Sequence, residues 1–119
     1  MELSQVSVAC GSAHEAERVV DVLLDRRLAA CVQVLGPMTS CYWWQGSREV
    51  ATEWVCVIKT RTSLVDEVAD AVRSVHSYEL PEVLAVPVTG GDPEYLAWIE
   101  AEASGAPEGD GGPGERDGG

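Results

Sequence analysis

Apolar residues recur along the chain with two different periods, and each change of period marks an element. Leu3, Val6, Val8 and Cys10 form a strand-like stretch that Gly11 ends. Ser12-Ala13-His14-Glu15 has the form of a capping box. Behind it, Ala16, Val19, Val20, Leu23 and Leu24 return at helical spacing, with Glu17, Arg18, Asp21 and Asp25 on the opposite side. This stripe predicts a first helix running to Leu28 or Ala29. Cys31 to Leu35 reads as a second strand, interrupted at Gly36-Pro37 because proline removes a ladder donor, and resuming at Thr39.

The stretch Ser40 to Arg61, SCYWWQGSREVATEWVCVIKTR, has two arms rich in aromatic and β-branched residues, Ser40–Trp44 and Trp54–Thr60. The polar segment Gln45-Gly46-Ser47-Arg48 lies between them, so a long β-hairpin is predicted. Alternation sends Trp54, Cys56 and Ile58 one way and Val55 and Val57 the other. Both faces of this arm are apolar, whereas a strand with one side in water has one polar face.

Thr62-Ser63 offers a second helix start, with Asp66 and Glu67 in its first turn, where they suit the macrodipole. Leu64, Val65, Val68, Ala69, Val72 and Val75 form its stripe, and His76 falls at its end. Glu82 to Val88 reads as a further strand, near an edge on account of Pro87. After a turn at Thr89-Gly90-Gly91, Asp92-Pro93 caps a short last helix whose apolar side is Tyr95, Leu96, Trp98 and Ile99.

The order βαββαβ plus a terminal helix predicts an α/β (α+β) ferredoxin-like sandwich: an antiparallel sheet with both long helices on one face. The other face has no assigned cover. Either a second copy of the molecule covers it, making the protein an obligate homo-oligomer, or the last helix with Trp98 covers part of it. Residues 1–103 make the single domain. The remainder, 104–119 (SGAPEGDGGPGERDGG), is expected to be a disordered tail, having too little apolar surface to offset the entropy of ordering.

Charge narrows the partners. The net charge is -12; Glu108, Asp110, Glu115, Asp117 and Arg116 in the tail account for -3, leaving -9 on the domain. Nucleic acid and anionic membranes are therefore disfavoured. No secretory signal and no run of eighteen apolar residues is visible. Cys10, Cys31, Cys41 and Cys56 lack a C-x-x-C spacing and are expected to be free thiols packed as small hydrophobes in a reducing cytoplasm.

No catalytic motif stands out. There is no G-x-S-x-G, no phosphate-binding glycine loop, and only His14 and His76 among histidines, so a non-enzymatic protein is expected. Glu79 and Glu82 flank Pro81 and read as solvated loop acids. Metal binding is the alternative chemistry: Cys10 ends the first strand and His76 ends the second helix, with Glu79 as a third candidate ligand. A helix-terminal histidine also serves the dipole and the last carbonyls without any metal. Tyr42, Trp43, Trp44 and Trp54 read as a subunit interface or as the lining of a cleft between subunits, with Val57 facing a neighbour.

The segments RLAACVQVLGPMTSCYWWQGSRE, WVCVIKTR, VHSYELPEVLAVPV and GDPEYLAWI resemble the CutA family of divalent-cation tolerance proteins, in order and in spacing, from residue 5 to residue 100. The resemblance implies a ferredoxin-like fold, a tight homotrimer built through the long central strands, and a cytoplasmic, non-catalytic role in tolerance of copper and other divalent cations. The implied metal is Cu(II), and Cys10 and His76 match the family's proposed ligand positions. Two departures weaken the set: Val75 stands where some members have a second histidine, and Ser77 where proline is usual. The alternative is a regulatory module like the PII signalling proteins, binding a small molecule or protein at clefts between subunits. Such proteins use a long loop between the second and third strands, and here that connection is short.

Overall fold

The computed structural model describes residues 1–106. The strand β1 (Leu3–Cys10) leads into the helix α1 (Ala13–Asp25), followed by β2 (Cys31–Trp44) and β3 (Ser47–Arg61). A 3-10 turn, Thr62–Leu64, opens onto α2 (Val65–Val75), then β4 (Val83–Pro87) and α3 (Pro93–Glu102). The sheet order is β2-β3-β1-β4 with every pairing antiparallel, the expected ferredoxin-like arrangement. β4 is an edge strand, which accommodates Pro87.

Both long helices lie on one face. Ala16, Val19 and Leu23 of α1 and Val68, Ala71 and Val72 of α2 close over Val6, Val8 and Cys10 of β1 and Cys56 and Ile58 of β3 in one core. Ser12 caps α1 as its motif predicts, its hydroxyl accepting from the Glu15 N–H at 3.0 Å. Asp92 caps α3 in the same way through the Tyr95 N–H.

α1 ends at Asp25, earlier than its apolar stripe predicts. Leu28 N–H donates to Leu23 O and Arg27 N–H to Leu24 O, with Arg27 at φ 57°. This is a Schellman ending made without glycine, so the sequence carried no stop signal. Leu23 and Leu28 are buried across it, while Leu24, expected in the stripe, is 41% exposed.

β2 and β3, of fourteen and fifteen residues, far outreach β1 with eight. At about 3.3 Å per residue their arms extend roughly 20 Å beyond β1. From Met38↔Glu53 to Trp44↔Ser47 the two strands pair with each other, past the reach of β1. The turn is tighter than predicted: Gln45 and Gly46 alone connect the strands, both at positive φ (51° and 86°), as a primed two-residue turn needs. The expected irregularity at Gly36-Pro37 is a register shift between Leu35 and Met38. There the Trp54 ring lies against Gly36, in the place of any side chain.

On the face away from α1 and α2, Leu84 is 64% exposed and Val86 and Leu35 are also open. α3 packs at the end of the sheet, near β3 and the start of β1, where Arg61 donates to Glu100 O and Leu3 is buried. Trp98 stacks on Tyr95 and is 41% exposed, while Leu84, Val86 and Leu35 remain open. The tail expected from residue 104 begins in order: Gly105 N–H donates to Arg27 O at 2.8 Å. The rest of the expected tail lies outside the described residues.

Candidate metal centre and the cleft beside it

The antiparallel crossing of β1 brings three chain segments together at one end of the sheet. Cys10 is the last residue of β1, Glu15 lies in the first turn of α1, and His76 caps the C-terminus of α2. Their ligand atoms lie within 4.8 Å of one another. The His76 side chain is fully buried and the Glu15 side chain nearly so.

The cluster is tightly bonded to its surroundings. His76 Nε2 donates to Ala9 O at 2.7 Å. His76 Nδ1 lies 3.1 Å from Glu15 Oε2 and 3.1 Å from the Tyr78 amide. A proton on Nδ1 makes a charge-assisted bond to the carboxylate; a bare Nδ1 accepts from Tyr78 N–H instead. The Ser77 hydroxyl donates to Glu15 Oε1 at 2.7 Å, and its amide to Oε2 at 3.4 Å. A proline at 77 could supply neither bond. Ser77 thus helps hold Glu15 in the cluster.

Glu15 was legible only as the far leg of a capping box. Its N–H is capped by Ser12, but its carboxylate turns away from the box to His76 and Ser77. An acid five residues after Cys10 was the available signal. Glu79, the expected third ligand, is absent from this cluster and instead lines the cleft described below. His14, 75% exposed, lies outside it as well.

Cys10 is fully buried beside Cys56, which in turn faces Ala16 O. Its hydrogen bond to Cys56, then burial, then the negative fields of Cys56, Glu15 and Glu53 push the Cys10 thiol far up, so it holds its proton. All four cysteines are free thiols, as expected; Cys41, however, is exposed on the hairpin and is no packed hydrophobe.

On the other side of Tyr78 lies a cleft of about 740 Å³ between the distal hairpin and the 76–82 loop. The Tyr78 ring meets His76 edge-on at 4.8 Å, and its hydroxyl donates to Glu53 Oε2 at 2.8 Å. Burial, then the bond to Glu53, push the Tyr78 phenol up and keep it a donor. Tyr42, Trp43 and Trp44 all border this cleft and all are exposed, Trp43 at 71%. Trp54, expected with them, packs against the chain's own core. Val57 lies half-buried on the face away from the helices.

The chain belongs to the CutA1 divalent ion tolerance family: the family's model matches residues 4–102. It is 41% identical over 95 residues to a divalent-cation tolerance protein CutA of Archaeoglobus fulgidus, a match covering 80% of this chain and 92% of that protein. A CutA homologue of Xenopus laevis is 43% identical over 97 residues, covering 82% of this chain but 64% of the frog protein's length. A solved structure of the A. fulgidus CutA, described as periplasmic, superposes with a TM-score of 0.82 at 39% identity, over 85% of this chain and 98% of that one.

Proposed function

We propose that this CutA1-family chain is a non-catalytic homotrimer that binds a divalent metal ion, Cu(II) foremost, at Cys10, Glu15 and His76, and so contributes to divalent-cation tolerance. The observation that carries the reading is the convergence of a thiol, an imidazole and a carboxylate within 4.8 Å from three separate elements. One soft and two borderline or harder donors suit copper or zinc, and three protein ligands leave a fourth position open. Ligand bonds of about 2.0–2.3 Å set neighbouring donors roughly 3.5 Å apart, so a modest inward movement suffices. Binding would displace the Cys10 proton and the Tyr78 N–H from Nδ1, which supports modest affinity and holding rather than turnover.

The trimer rests on the exposed distal hairpin and on the uncovered sheet face, surfaces of the kind that oligomers bury. The cytoplasmic reading rests on four unpaired thiols, which suit a reducing compartment. A PII-like reading lacks its mobile loop, since two residues join β2 to β3.

Calorimetric titration of Cu(II) into the wild type, Cys10→Ser, Glu15→Gln, His76→Ala and Glu79→Gln tests the site. The first three substitutions are expected to weaken binding about 10- to 100-fold and Glu79→Gln to leave it unchanged. Isotherms indistinguishable from wild type would remove the cluster from the reading. A native mass spectrum with and without copper counts subunits and ions together; any stoichiometry but a trimer overturns the assembly.

A further inference from the structure

Cys56 is a buried thiol that the metal reading leaves unused. It lies within β3, and Cys10 ends β1 beside it. The register Val8↔Cys56 and Cys10↔Trp54 makes the two cysteines diagonal neighbours on one face of the sheet. That face is the one α1 and α2 cover, and both side chains are fully buried in its core. The two thiols are hydrogen-bonded to each other. Beyond Cys10, Cys56 Sγ has the Ala16 carbonyl at 3.8 Å, a weak bond of the kind a thiol makes. The chain's own helices close this pair off, so neither sulfur depends on a surface that another subunit would cover.

Two cysteines meeting in a core serve as small hydrophobes, as a disulfide or as metal ligands. Diagonal neighbours in a sheet have Cα atoms about 7–8 Å apart. A disulfide spans about 4.4–6.8 Å, so this register disfavours one without movement of a strand. An ion held between two thiolates asks for less. With metal–sulfur bonds of about 2.3 Å the sulfurs stand roughly 4.5 Å apart, near the spacing of two thiols in contact. Plain apolar packing leaves the polar company of Cys10 unexplained, since its sulfur also lies within 4.8 Å of ligand atoms of His76 and Glu15.

We infer that Cys10 and Cys56 together form a dithiolate site for Cu(I), which shares the Cys10 sulfur with the Cu(II) cluster but uses a different second donor. The inference rests on the reading of Cys10 as a copper ligand and deepens it, naming the oxidation state that each donor set takes. Two soft thiolates select Cu(I), whereas imidazole and carboxylate suit Cu(II). His76 and Glu15 stay paired with each other while Cu(I) is held. Binding exchanges two thiol protons for one ion, so two protons leave per Cu(I) bound. The copper enters already reduced, and no electron is transferred. Because both ions need Cys10, a chain holds one copper at a time.

The test sets the full-length protein against a chromogenic Cu(I) chelator, anaerobically with ascorbate, and titrates Cu(II) separately by calorimetry without reductant. Cu(I) binding is expected to weaken about 100-fold or more in Cys56→Val and in Cys10→Ser, and to be unchanged in Glu15→Gln. Cu(II) affinity is expected to be unchanged in Cys56→Val. X-ray absorption of the Cu(I) form is expected to show two sulfur neighbours. Unchanged Cu(I) affinity in Cys56→Val overturns the inference. Equal weakening of Cu(I) by Glu15→Gln overturns it too, because one donor set then serves both ions. Either result leaves the Cu(II) reading standing, since that is scored with Cu(II) alone. Conversely, Cu(II) binding indifferent to Glu15→Gln and His76→Ala removes that cluster and leaves the dithiolate site. Valine keeps the core apolar; should that variant fail to fold, Cys56→Ala carries the same comparison.

Discussion

On the helix side of β3, Cys56, Ile58 and Thr60 are fully buried by the chain's own α1 and α2, and Thr60 donates to Leu28 O at 2.7 Å. On the other side, Val55 and Val57 of the same strand remain half-buried. The residue types differ little, so intrinsic strand propensity does not separate the two faces. What separates them is who supplies the cover. A fold with two helices can close one face of a four-stranded sheet; the second face stays open within the chain and is the one the proposed trimer would cover. A two-stranded arm standing beyond the sheet is marginal by itself, and in the proposed trimer a neighbour would hold it.

Replacing Val57 by aspartate breaks this comparison hardest. A charge on the uncovered face is expected to dissociate the oligomer to monomers in a native mass spectrum; a persisting trimer of unchanged melting temperature would mean that face is not the interface. Ile58→Ala, one residue along but inside the core, is expected to cost about 2–5 kcal/mol in urea denaturation at fixed protein concentration, with subunit number unchanged. Dissociation by Ile58→Ala rather than by Val57→Asp would reverse the assignment of the faces. Ser12→Ala removes the cap of a covering helix and is expected to cost about 1 kcal/mol by the same measurement.

The smallest effect lies at the cleft. The Glu82 carboxyl is pushed up in the folded protein, so the folded chain binds this proton more readily than the unfolded one. Its contribution is therefore favourable in acid and is lost as pH rises from the unfolded value through the folded one. Glu82→Gln is expected to raise the melting temperature slightly at neutral pH and to leave it unchanged at about pH 3, where both forms are neutral. A variant less stable than wild type at pH 7 would show that Glu82 already has a cationic neighbour in the assembly.

Much of the architecture was legible because it rests on local rules. Ser12 and Asp92 cap the helices their motifs announce, the βαββαβ order carries its handedness, and the opposed faces of Trp54–Ile58 follow from a period of two. The early end of α1 was not legible, since Arg27 takes the left-handed conformation that glycine normally signals. Cys10 and His76 were readable as donors at element ends. Glu15 was read as a capping residue because nothing local records that α2 delivers His76 and Ser77 onto the first turn of α1. Glu79, the third candidate from the sequence, lines the cleft instead.

By itself, the sequence determined the elements, their order, the two-sided apolar hairpin and the residue types able to bind a soft metal. Each of these depends on neighbours a few residues apart. Only the tertiary structure decided which acid joins Cys10 and His76, and that Trp54 belongs to the core while Tyr42 and Trp44 line a cleft. Those outcomes depend on pairs 25 to 67 residues apart, as in the bonds of Tyr78 to Glu53 and of His76 to Ala9. Chain crossing and strand register set such distances, and no local period encodes them.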